Sequence, residues 1–470
     1  MRPTVIILAA GLGTRMRSSL PKALHPLAGK ELILHVLDAV KQIGSGKTVV
    51  VLGHQADRVR KTMEGHDVET VHQAEQLGTG HAVRQAADAI TAAEGPVVVL
   101  CADTPLLTAG TLISLIEAHS RAKAAVTVMT TVAEDPMGYG RVVRGKSGVM
   151  RIVEEKDATA AQKKIREVNT GIYCFEKKFL LSALGGIKNR NAQGEYYLPD
   201  TISLARRKRL KVAAVLCPDP DEAMGINSRF DLSQAEMVLQ ARTNLRWMLE
   251  GVTLPDPATV FIGTDVVIGR DSIVYPNVRL EGKTILGEGC TVYPGSRIVD
   301  STLGSGIVIK DCCVIEDSKI EDKASVGPFA HLRPGTVLGA GSRIGNFVEV
   351  KKSVIGEGSK ANHLSYLGDA TIGRDVNIGA GVITCNYDGF KKHQTVIEDG
   401  VFVGSDAQLV APVRIGKNAL VAAGATMTRD VPAEALVISR VPQEVREGVA
   451  GRRKKMKQGK STKSQTPNSK

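Results

Sequence analysis

Residues 326–356 read VGPFAHLRPGTVLGAGSRIGNFVEVKKSVIG, and an aliphatic residue returns at every sixth position through most of this stretch. Those residues are Val326, Leu332, Leu338, Ile344 and Val350. A six-residue period is typical of a parallel β-helix, in which each aliphatic side chain fills one face of a triangular coil. The stretch therefore predicts a left-handed parallel β-helix of hexapeptide repeats.

The same period extends in both directions from this stretch. With a few shortened steps it begins near Ile262 and ends near Val421, which makes about twenty-five repeats. One segment breaks the phase, TCNYDGFKKHQTV at residues 384–396. We expect it to leave the coil as a loop, and loops on rigid scaffolds often carry function, although insertions there are also simply tolerated.

The first 228 residues have a different pattern, in which β-branched apolar runs alternate with segments of helical spacing. This alternation predicts a βαβ succession and a Rossmann-like, mostly parallel sheet, giving an α/β domain that binds ligands at the carboxyl ends of its strands. The expected strands are 5–10, 48–52, 97–101 and 125–131, and the expected helices are 31–43, 80–93 and 112–121.

These patterns predict four consecutive regions. An N-terminal domain covers residues 1–228, a long linker helix covers 229–250, and the hexapeptide domain covers 251–450. Residues 451–470 contain eight Lys or Arg and no acid, and without them the net charge falls from +12 to +4. We interpret this segment as a disordered, solvated basic tail, which is favoured over a tail that contacts RNA or anionic lipid.

Cysteine usage and hydropathy indicate where the protein works. The seven cysteines are scattered and form no CxxC pair, as expected for reduced intracellular thiols. The sequence has no signal peptide, and no apolar run approaches the ~20 residues of a membrane span. We therefore expect a cytoplasmic protein that binds neither nucleic acid nor membrane.

A candidate phosphate-binding loop, LAAGLGTRM at residues 8–16, follows the first strand. Its small residues let backbone N–H groups approach phosphate oxygens, and Arg15 and the nearby Lys22 add positive charge. A dinucleotide fingerprint would need Gly or Ala at position 16, where this chain has Met. A plain strand-to-turn connection remains the alternative for the loop taken alone, and a solvated surface lysine remains the alternative for Lys22.

Asp103 follows another apolar strand, in the sequence LCADTPL at residues 100–106. A carboxylate at the carboxyl end of a strand is well placed for Mg²⁺, which prefers oxygen ligands and bridges to substrate phosphates. An aspartate that caps a turn is the alternative for this residue taken alone.

Motifs along residues 4–445 together resemble the bifunctional N-acetylglucosamine-1-phosphate uridyltransferases/glucosamine-1-phosphate acetyltransferases. The motifs are LAAGLGTRM, LPKALHPLAGK, QAEQLGTGHA, GYGR, NTGIY, NAQGEYYLPD, GINSR, GPFAHLRPG, GNFVEVKKS, KANHLSYLGDA, NIGAGVITCNYDG, VGSDAQLVAPV and ISRVPQ. The resemblance implies acetylation of glucosamine 1-phosphate by acetyl-CoA, followed by transfer of UMP from UTP to the product. The resulting UDP-N-acetylglucosamine would supply peptidoglycan and lipopolysaccharide synthesis.

For the N-terminal domain the resemblance implies a nucleotide pocket, a sugar site and a Mg²⁺ site. The residues implied for the pocket are Leu8, Ala9, Ala10, Gly11, Lys22, Gln73, Gly78 and Thr79; those for the sugar are Gly140, Glu154 and Asn169; those for Mg²⁺ are Asp103 and Asn227; and Arg15 meets the pyrophosphate. One position departs from the family, because Ala102 stands where a glycine usually precedes the metal aspartate. This departure puts the strength of nucleotide binding in question, but not the chemistry.

For the hexapeptide domain the resemblance implies a general base and two binding regions. His363 suits the base, because a neutral imidazole accepts a proton near neutral pH, and Glu349 on an adjacent rung is expected to orient it. The residues implied for the sugar phosphate are Arg333, Lys351, Tyr366 and Asn377, and those for acetyl-CoA are Ala380, Asn386, Tyr387, Ser405, Ala423 and Arg440. A homotrimer is expected by analogy with other hexapeptide proteins.

Two other functions compete with this interpretation. The first is a nucleotidyltransferase whose β-helix is only structural, which would make the set Arg333, Lys351, His363 and Tyr366 a coincidence. The second is non-enzymatic, because exchange-factor subunits of translation initiation share the two-part architecture. Such subunits need not retain the phosphate loop, Lys22 and Asp103, all of which this chain has.

Overall fold

The computed structural model describes residues 2–461, and side chains up to residue 458. It separates into two compact units, and the division falls between Thr284 and Ile285. This division lies beyond the change in sequence pattern because the linker helix holds the first hexapeptide segment. Gln240 Nε2 donates to Val260 O at 2.6 Å, and Asn244 Nδ2 donates to the same oxygen at 2.9 Å.

The first unit is built on a mixed sheet whose central strands are parallel. The sheet order is Val212–Leu216, Val126–Val132, Glu167–Phe175, Val97–Cys101, Thr4–Ala9, Lys47–Leu52 and Glu69–His72. Glu167–Phe175 runs antiparallel to both neighbours, whereas the other pairs along this path are parallel. A hairpin of Arg141–Gly145 and Gly148–Val153 extends from Glu167–Phe175. The predicted α/β sheet is confirmed.

Helices cover both faces of this sheet. They are Leu32–Gln42, Ala56–Thr62, Thr79–Arg84, Ala87–Ala92, Ala109–Ala122, Ala160–Lys163, Lys177–Gly186 and Asp200–Arg207, with 3₁₀ turns at Thr14–Met16, Lys22–Leu24 and Pro220–Ala223 and a two-stranded ribbon of Pro26–Leu27 and Lys30–Glu31. Val5, Ile6 and Ile7 are fully buried, so both faces of their strand are covered. Continuous apolar runs are therefore what a covered parallel strand requires.

A single helix, Arg229–Leu249, occupies the region expected for the linker. Its start is fixed by a reciprocal cap, in which Ser228 Oγ accepts from Asp231 N at 3.2 Å and Asp231 Oδ2 accepts from Ser228 N at 2.8 Å. Ala235 and Trp247 are buried on its inner face. Four short hexapeptide strands follow within the first unit: Phe261–Ile262, Val267–Ile268, Ile273–Val274 and Arg279–Glu281.

The second unit is a parallel β-helix with three faces. The first face contains Arg297–Val299, Val314–Glu316, His331–Leu332, Glu349–Lys351, Tyr366–Gly368, Ile383–Cys385, Gln408–Val410 and Thr426–Met427. The second face contains Ile285–Leu286, Thr302–Leu303, Ser318–Ile320, Thr336–Leu338, Val354–Ile355, Ala370–Ile372, Thr395–Ile397 and Val413–Ile415. The third face contains Thr291–Val292, Val308–Ile309, Ser325–Val326, Arg343–Asn346, Lys360–His363, Asn377–Ile378, Phe402–Val403, Leu420–Val421 and Leu436–Val437.

The aliphatic residues of the hexapeptide period fill the interior of these coils. Leu332, Leu338, Ile344 and Val350 are at most 1% exposed. Adjacent coils approach so closely that a Cβ added at Gly345 would lie 1.9 Å from Asn362 O. The predicted β-helix and its period are therefore confirmed.

Three consecutive coils place a large apolar residue at the same corner. Phe329, Phe347 and Leu364 all have left-handed backbone, with φ of 53°, 55° and 50°. The two phenylalanine rings stack at 5.4 Å, and the three residues are 51%, 56% and 62% exposed. We call these three residues the apolar corner. Left-handed backbone is uncommon for such bulky residues, so this corner is an unusual feature of the fold.

A last helix, Val449–Ser461, covers the first part of the segment that was expected to be disordered. Its Lys and Arg residues are good helix formers, and the compositional argument took no account of this propensity. Residues 462–470 of the expected tail lie outside the described residues. Among residues 2–461, no helix has the length and apolar character needed to cross a membrane.

Candidate active sites

A cavity of about 430 Å³ opens at the carboxyl ends of the strands Thr4–Ala9 and Val97–Cys101. Ligand pockets in proteins have volumes of this order. The sequence-predicted residues that line it are Leu8, Ala9, Ala10, Gly11, Lys22, Gln73, Gly78, Thr79 and Asp103. The cavity therefore brings together the predicted nucleotide residues and one predicted metal ligand. It is also lined by Gln76 and Glu195, which the sequence analysis had not singled out.

Two glycines shape the cavity wall. Gly78 has a φ of 102°, and a Cβ added there would lie 2.8 Å from Tyr196 O. Gly13 has a φ of 61°, and a Cβ added there would lie 2.8 Å from the Cβ of Lys22. Because Gly13 lacks this atom, the base of the Lys22 side chain packs directly on the loop.

Four charged and polar side chains converge at one side of the cavity. Lys22 Nζ forms an ion pair with Asp103 Oδ2 and donates to Asn227 Oδ1 at 2.8 Å. Arg15 Nη2 donates to the same Asn227 oxygen, also at 2.8 Å. Asp103 and Asn227 are held near each other by the backbone, because Ile226 N donates to Asp103 O at 2.8 Å. Arg15 and Asn227 do not line the cavity, but they are bonded to its wall through this cluster.

The three residues expected to hold the sugar form a second group. Asn169 N donates to Gly140 O at 2.8 Å, and Tyr173 Oη donates to Asn169 Oδ1 at 2.9 Å. A Cβ added at Gly140 would lie 2.9 Å from Glu154 Oε1, so the glycine makes room for this carboxyl. The structure thus brings Gly140, Glu154 and Asn169 together, although none of them lines the cavity itself.

Glu154 lies in an environment that disfavours its charge. Burial raises the pKa of its carboxyl to about 7, and the neighbouring carboxyl groups Asp157, Asp200 and Glu195 raise it further, while Arg141 opposes them. Arg141 is itself engaged by Glu155 at 2.7 Å. Glu154 therefore changes protonation near neutral pH.

The position that departs from the family lies against the loop. Ala102 is buried, and its N–H donates to Leu8 O at 3.0 Å. Burial, followed by the charge of Asp103, raises the pKa of the neighbouring Cys101 thiol to about 12. Cys101 is thus a protonated thiol at neutral pH and is unsuited to act as a nucleophile.

In the second unit, His363 has a different partner from the one expected. His363 is exposed, and its Nδ1 lies 2.8 Å from Asn346 Oδ1 on the preceding coil of the third face. Glu349 instead accepts from Arg333 Nη1 at 2.8 Å on the first face. The expectation that Glu349 orients His363 is therefore wrong, because the two side chains belong to different faces, and Asn346 takes that place.

Cations gather on the first face of the β-helix. Arg333, Lys351 and Tyr366 lie on successive coils of that face, in the register Glu349 with Tyr366 and Lys351 with Gly368. The ammonium of Lys392 contacts that of Lys351 and lowers the pKa of Lys351. Lys392 belongs to the loop that breaks the hexapeptide phase. The sequence analysis did not select it, although the FKKH segment in that loop carries the signal.

The remaining predicted residues of the second unit occupy two places. One group follows successive coils: Asp406 N donates to Ala380 O at 2.7 Å, Gly424 N donates to Ser405 O at 2.8 Å, and Arg440 Nη1 donates to Ala423 O at 2.5 Å. The other group is next to the loop: Asn386 Nδ2 donates to Asp369 Oδ2 at 2.5 Å, and Tyr387 is exposed. Asn377 lies on the third face, in the strand after that of His363.

The fold and these two sites define a class of protein. A nucleotide-sized cavity at the end of an α/β sheet and a histidine with clustered cations on a β-helix describe a nucleotidyltransferase joined to a hexapeptide acyltransferase. Residues 5–167 match the family described as MobA-like NTP transferase domain. Residues 317–352 and 394–429 match the family described as bacterial transferase hexapeptide (six repeats).

Relatives that match nearly the whole chain identify the particular family. The chain is 53% identical to the bifunctional protein GlmU of Pelobacter propionicus over 452 residues, covering 96% of this chain and 98% of the relative. It is 52% identical to that of Heliobacterium modesticaldum, with 96% and 98% covered, and 51% identical to that of Geobacter metallireducens, with 94% and 97% covered. The chain belongs to the GlmU family, and it is a bifunctional enzyme of UDP-N-acetylglucosamine synthesis.

Proposed function

We propose that the first-unit cavity binds UTP and N-acetylglucosamine 1-phosphate, and that the second-unit site makes this sugar phosphate by acetylating glucosamine 1-phosphate with acetyl-CoA. The observation that carries the first assignment is the cluster of Lys22, Asp103, Asn227 and Arg15 at the edge of the cavity. It combines oxygen ligands for a cation with cationic groups for phosphates. We assign acetylation as the earlier step because its product is the acceptor of UMP.

The oxygen donors of the first site fit a divalent cation, which we propose is Mg²⁺. Asp103 and Asn227 both face the same ammonium, so their oxygens converge on one point. Mg²⁺ binds through one or two protein oxygens, water and substrate phosphates, as such a pair allows. When bound, the cation neutralises charge on the phosphates of the nucleotide.

The chain's own residues then supply alignment and charge in the uridyl transfer. The sugar phosphate oxygen attacks the α-phosphorus of UTP, a P–O bond to the β-phosphate breaks, and pyrophosphate leaves. Lys22 and Arg15 stabilise the charge that develops on the leaving group, and backbone N–H groups of residues 8–11 hold the nucleotide. No protein nucleophile is needed, which agrees with the protonated state of Cys101.

In the acetyl transfer, His363 acts as the general base. The amine nitrogen of the sugar attacks the thioester carbonyl, an amide forms and the C–S bond breaks. His363 takes the proton from the amine, and the thiolate of CoA leaves and is protonated. Asn346 Oδ1 accepts from the Nδ1–H of His363, which leaves Nε2 free to take that proton. Arg333, Lys351 and Lys392 bind the phosphate of the sugar.

The apolar corner supports a homotrimer in which copies of the β-helix pack together. Phe329, Phe347 and Leu364 are more than half exposed, and burying such rings is favourable. Leu364 directly follows His363, so this packing would also enclose the acetyl-transfer site. The seven cysteines are all free thiols, which supports a cytoplasmic location.

The test of both activities is an omission experiment on the purified protein. Glucosamine 1-phosphate, acetyl-CoA, UTP and Mg²⁺ together should yield UDP-N-acetylglucosamine, CoA and pyrophosphate. Omitting UTP should leave CoA release intact, and omitting Mg²⁺ should stop only pyrophosphate release. Supplying N-acetylglucosamine 1-phosphate should remove the need for acetyl-CoA. Formation of the nucleotide sugar from glucosamine 1-phosphate without acetyl-CoA would contradict the proposed order.

A further inference from the structure

Lys22 lies between the two oxygen ligands proposed for the metal. Its ammonium forms an ion pair with Asp103 and a 2.8 Å hydrogen bond with Asn227. The Lys22 side chain is 15% exposed and that of Asp103 is 26% exposed, so the ion pair is largely shielded from water. A divalent cation on the same two oxygens would lie within a few Å of the ammonium, and two like charges at that separation repel each other strongly.

We propose that Lys22 is the internal counter-ion of the nucleotide-free site, which a divalent cation displaces from Asp103 and Asn227, and that the released ammonium then binds a nucleotide phosphate. This inference rests on the proposed metal role of Asp103 and Asn227. It adds that lysine and metal occupy these oxygens in turn, so that metal binding and phosphate binding by Lys22 are coupled.

The local structure allows the ammonium to move while the rest of the side chain stays in place. The Cβ of Lys22 packs on Gly13, where the absence of a side chain lets the two come close. The four-carbon stem beyond it is flexible and ends in a compact charge. Lys22 also lines the cavity together with residues 8–11, so a phosphate bound there lies within its reach.

The exchange has an unusual consequence for a single substitution. A variant that lacks the ammonium no longer has a competitor at Asp103 and Asn227, so it binds a divalent cation more tightly. The same variant lacks a phosphate-binding cation, so it binds the nucleotide more weakly. Loss of a residue that only bound phosphate would leave the affinity for free metal unchanged.

The experiment measures Mn²⁺ binding to the full-length, nucleotide-free protein by electron paramagnetic resonance of the free ion. Lys22→Met keeps the aliphatic stem on Gly13, and we expect its Kd for Mn²⁺ to fall at least tenfold. Its Kd for UTP without metal should rise at least tenfold. Lys30→Met is the matched control, because the Lys30 side chain is 18% exposed and is paired with Asp38 at 2.5 Å. An equal gain in Mn²⁺ affinity in both variants, or no gain in Lys22→Met, would overturn the proposal.

Two further measurements separate the exchange from the metal assignment itself. Asp103→Ala in the Lys22→Met background should abolish the tight Mn²⁺ site, and tight binding that survives this change would refute the metal role of Asp103 instead. In the wild-type protein, Mn²⁺ should increase reductive methylation of Lys22 relative to Lys30, as read by mass spectrometry. This second readout needs no variant, and an unchanged labelling ratio at saturating Mn²⁺ would contradict displacement.

Discussion

At the scale of single residues, Glu154 gives the protein a pH-dependent stability. In the unfolded chain its carboxyl titrates near 4.5, whereas burial raises the pKa in the folded protein to about 7. Between these values the folded protein keeps a proton that the unfolded chain has lost. The free energy of unfolding therefore decreases as the pH rises through this window.

Replacing Glu154 with Gln should remove this pH dependence. We expect the variant to gain less than about 1 kcal/mol over wild type at pH 5 and up to about 3 kcal/mol at pH 8. Denaturant unfolding can be followed by fluorescence of Trp247, which is the only tryptophan and is buried in the first unit. The exposed Glu117→Gln serves as the control, and a gain that does not grow with pH would show that Glu154 is ionised throughout.

Also at the residue scale, His363→Ala should separate the two chemistries. Loss of the general base should slow acetyl transfer by roughly 10²–10⁴-fold, the usual contribution of such a group. Uridyl transfer from supplied N-acetylglucosamine 1-phosphate should persist. The low-pH limb of the wild-type acetylation profile should disappear in the variant. A folded variant that acetylates at the wild-type rate would exclude His363 as the base.

The partner of His363 can be tested in the same way. Asn346→Ala should lower kcat for acetyl transfer about tenfold and shift its low-pH limb, because the imidazole loses the group that fixes its tautomer. Glu349→Gln should change the KM for the sugar phosphate through Arg333 and leave that limb in place. The reverse pattern would restore Glu349 as the orienting residue.

At the scale of elements, the loop at residues 384–396 adds a cation that the regular coils do not supply. Its Lys392 contacts Lys351, and this crowding of like charges is unfavourable until an anion binds between them. Lys392→Met should therefore raise the KM for glucosamine 1-phosphate about tenfold, an effect of about 1.4 kcal/mol, with little change in the KM for acetyl-CoA. Lys391→Met, the exposed neighbour in the same loop, is the control. Equal effects of the two variants would reduce the role of Lys392 to general electrostatics.

The elements also show where sequence reasoning succeeded and where it failed. The hexapeptide period placed Leu332 and Ile344 in the interior, because burial of one aliphatic per face is a local requirement. The strand-end argument placed Lys22 and Asp103 in one site, although 81 residues separate them. The pairing of His363 with Asn346 was not predictable, because shortened steps make the coils 17 rather than 18 residues long at that point and shift the vertical register. Lys392 was missed because the path of an inserted loop has no period.

At the scale of the whole molecule, the apolar corner makes a prediction about assembly. Phe347→Asp should convert the proposed trimer to monomers, as measured by light scattering, because it would bury a charge in the interface. Acetyl transfer should fall at least tenfold, whereas uridyl transfer should be retained. Met137→Asp introduces the same charge at another exposed apolar residue and is the control. A trimer that withstands the Phe347 substitution would place the interface elsewhere.

The stacking of the β-helix has a consequence for how the chain matures. Each coil pairs with the coil 17 or 18 residues before it, so its contacts are local and can form as soon as that length of chain is available. During synthesis the coils can therefore add one at a time on those already folded. Ala423 and Arg440, near the C-terminal end of this stack, are laid down last. A nascent chain acquires its nucleotide cavity early, and it completes the groups proposed for acetyl-CoA only when the final coils leave the ribosome.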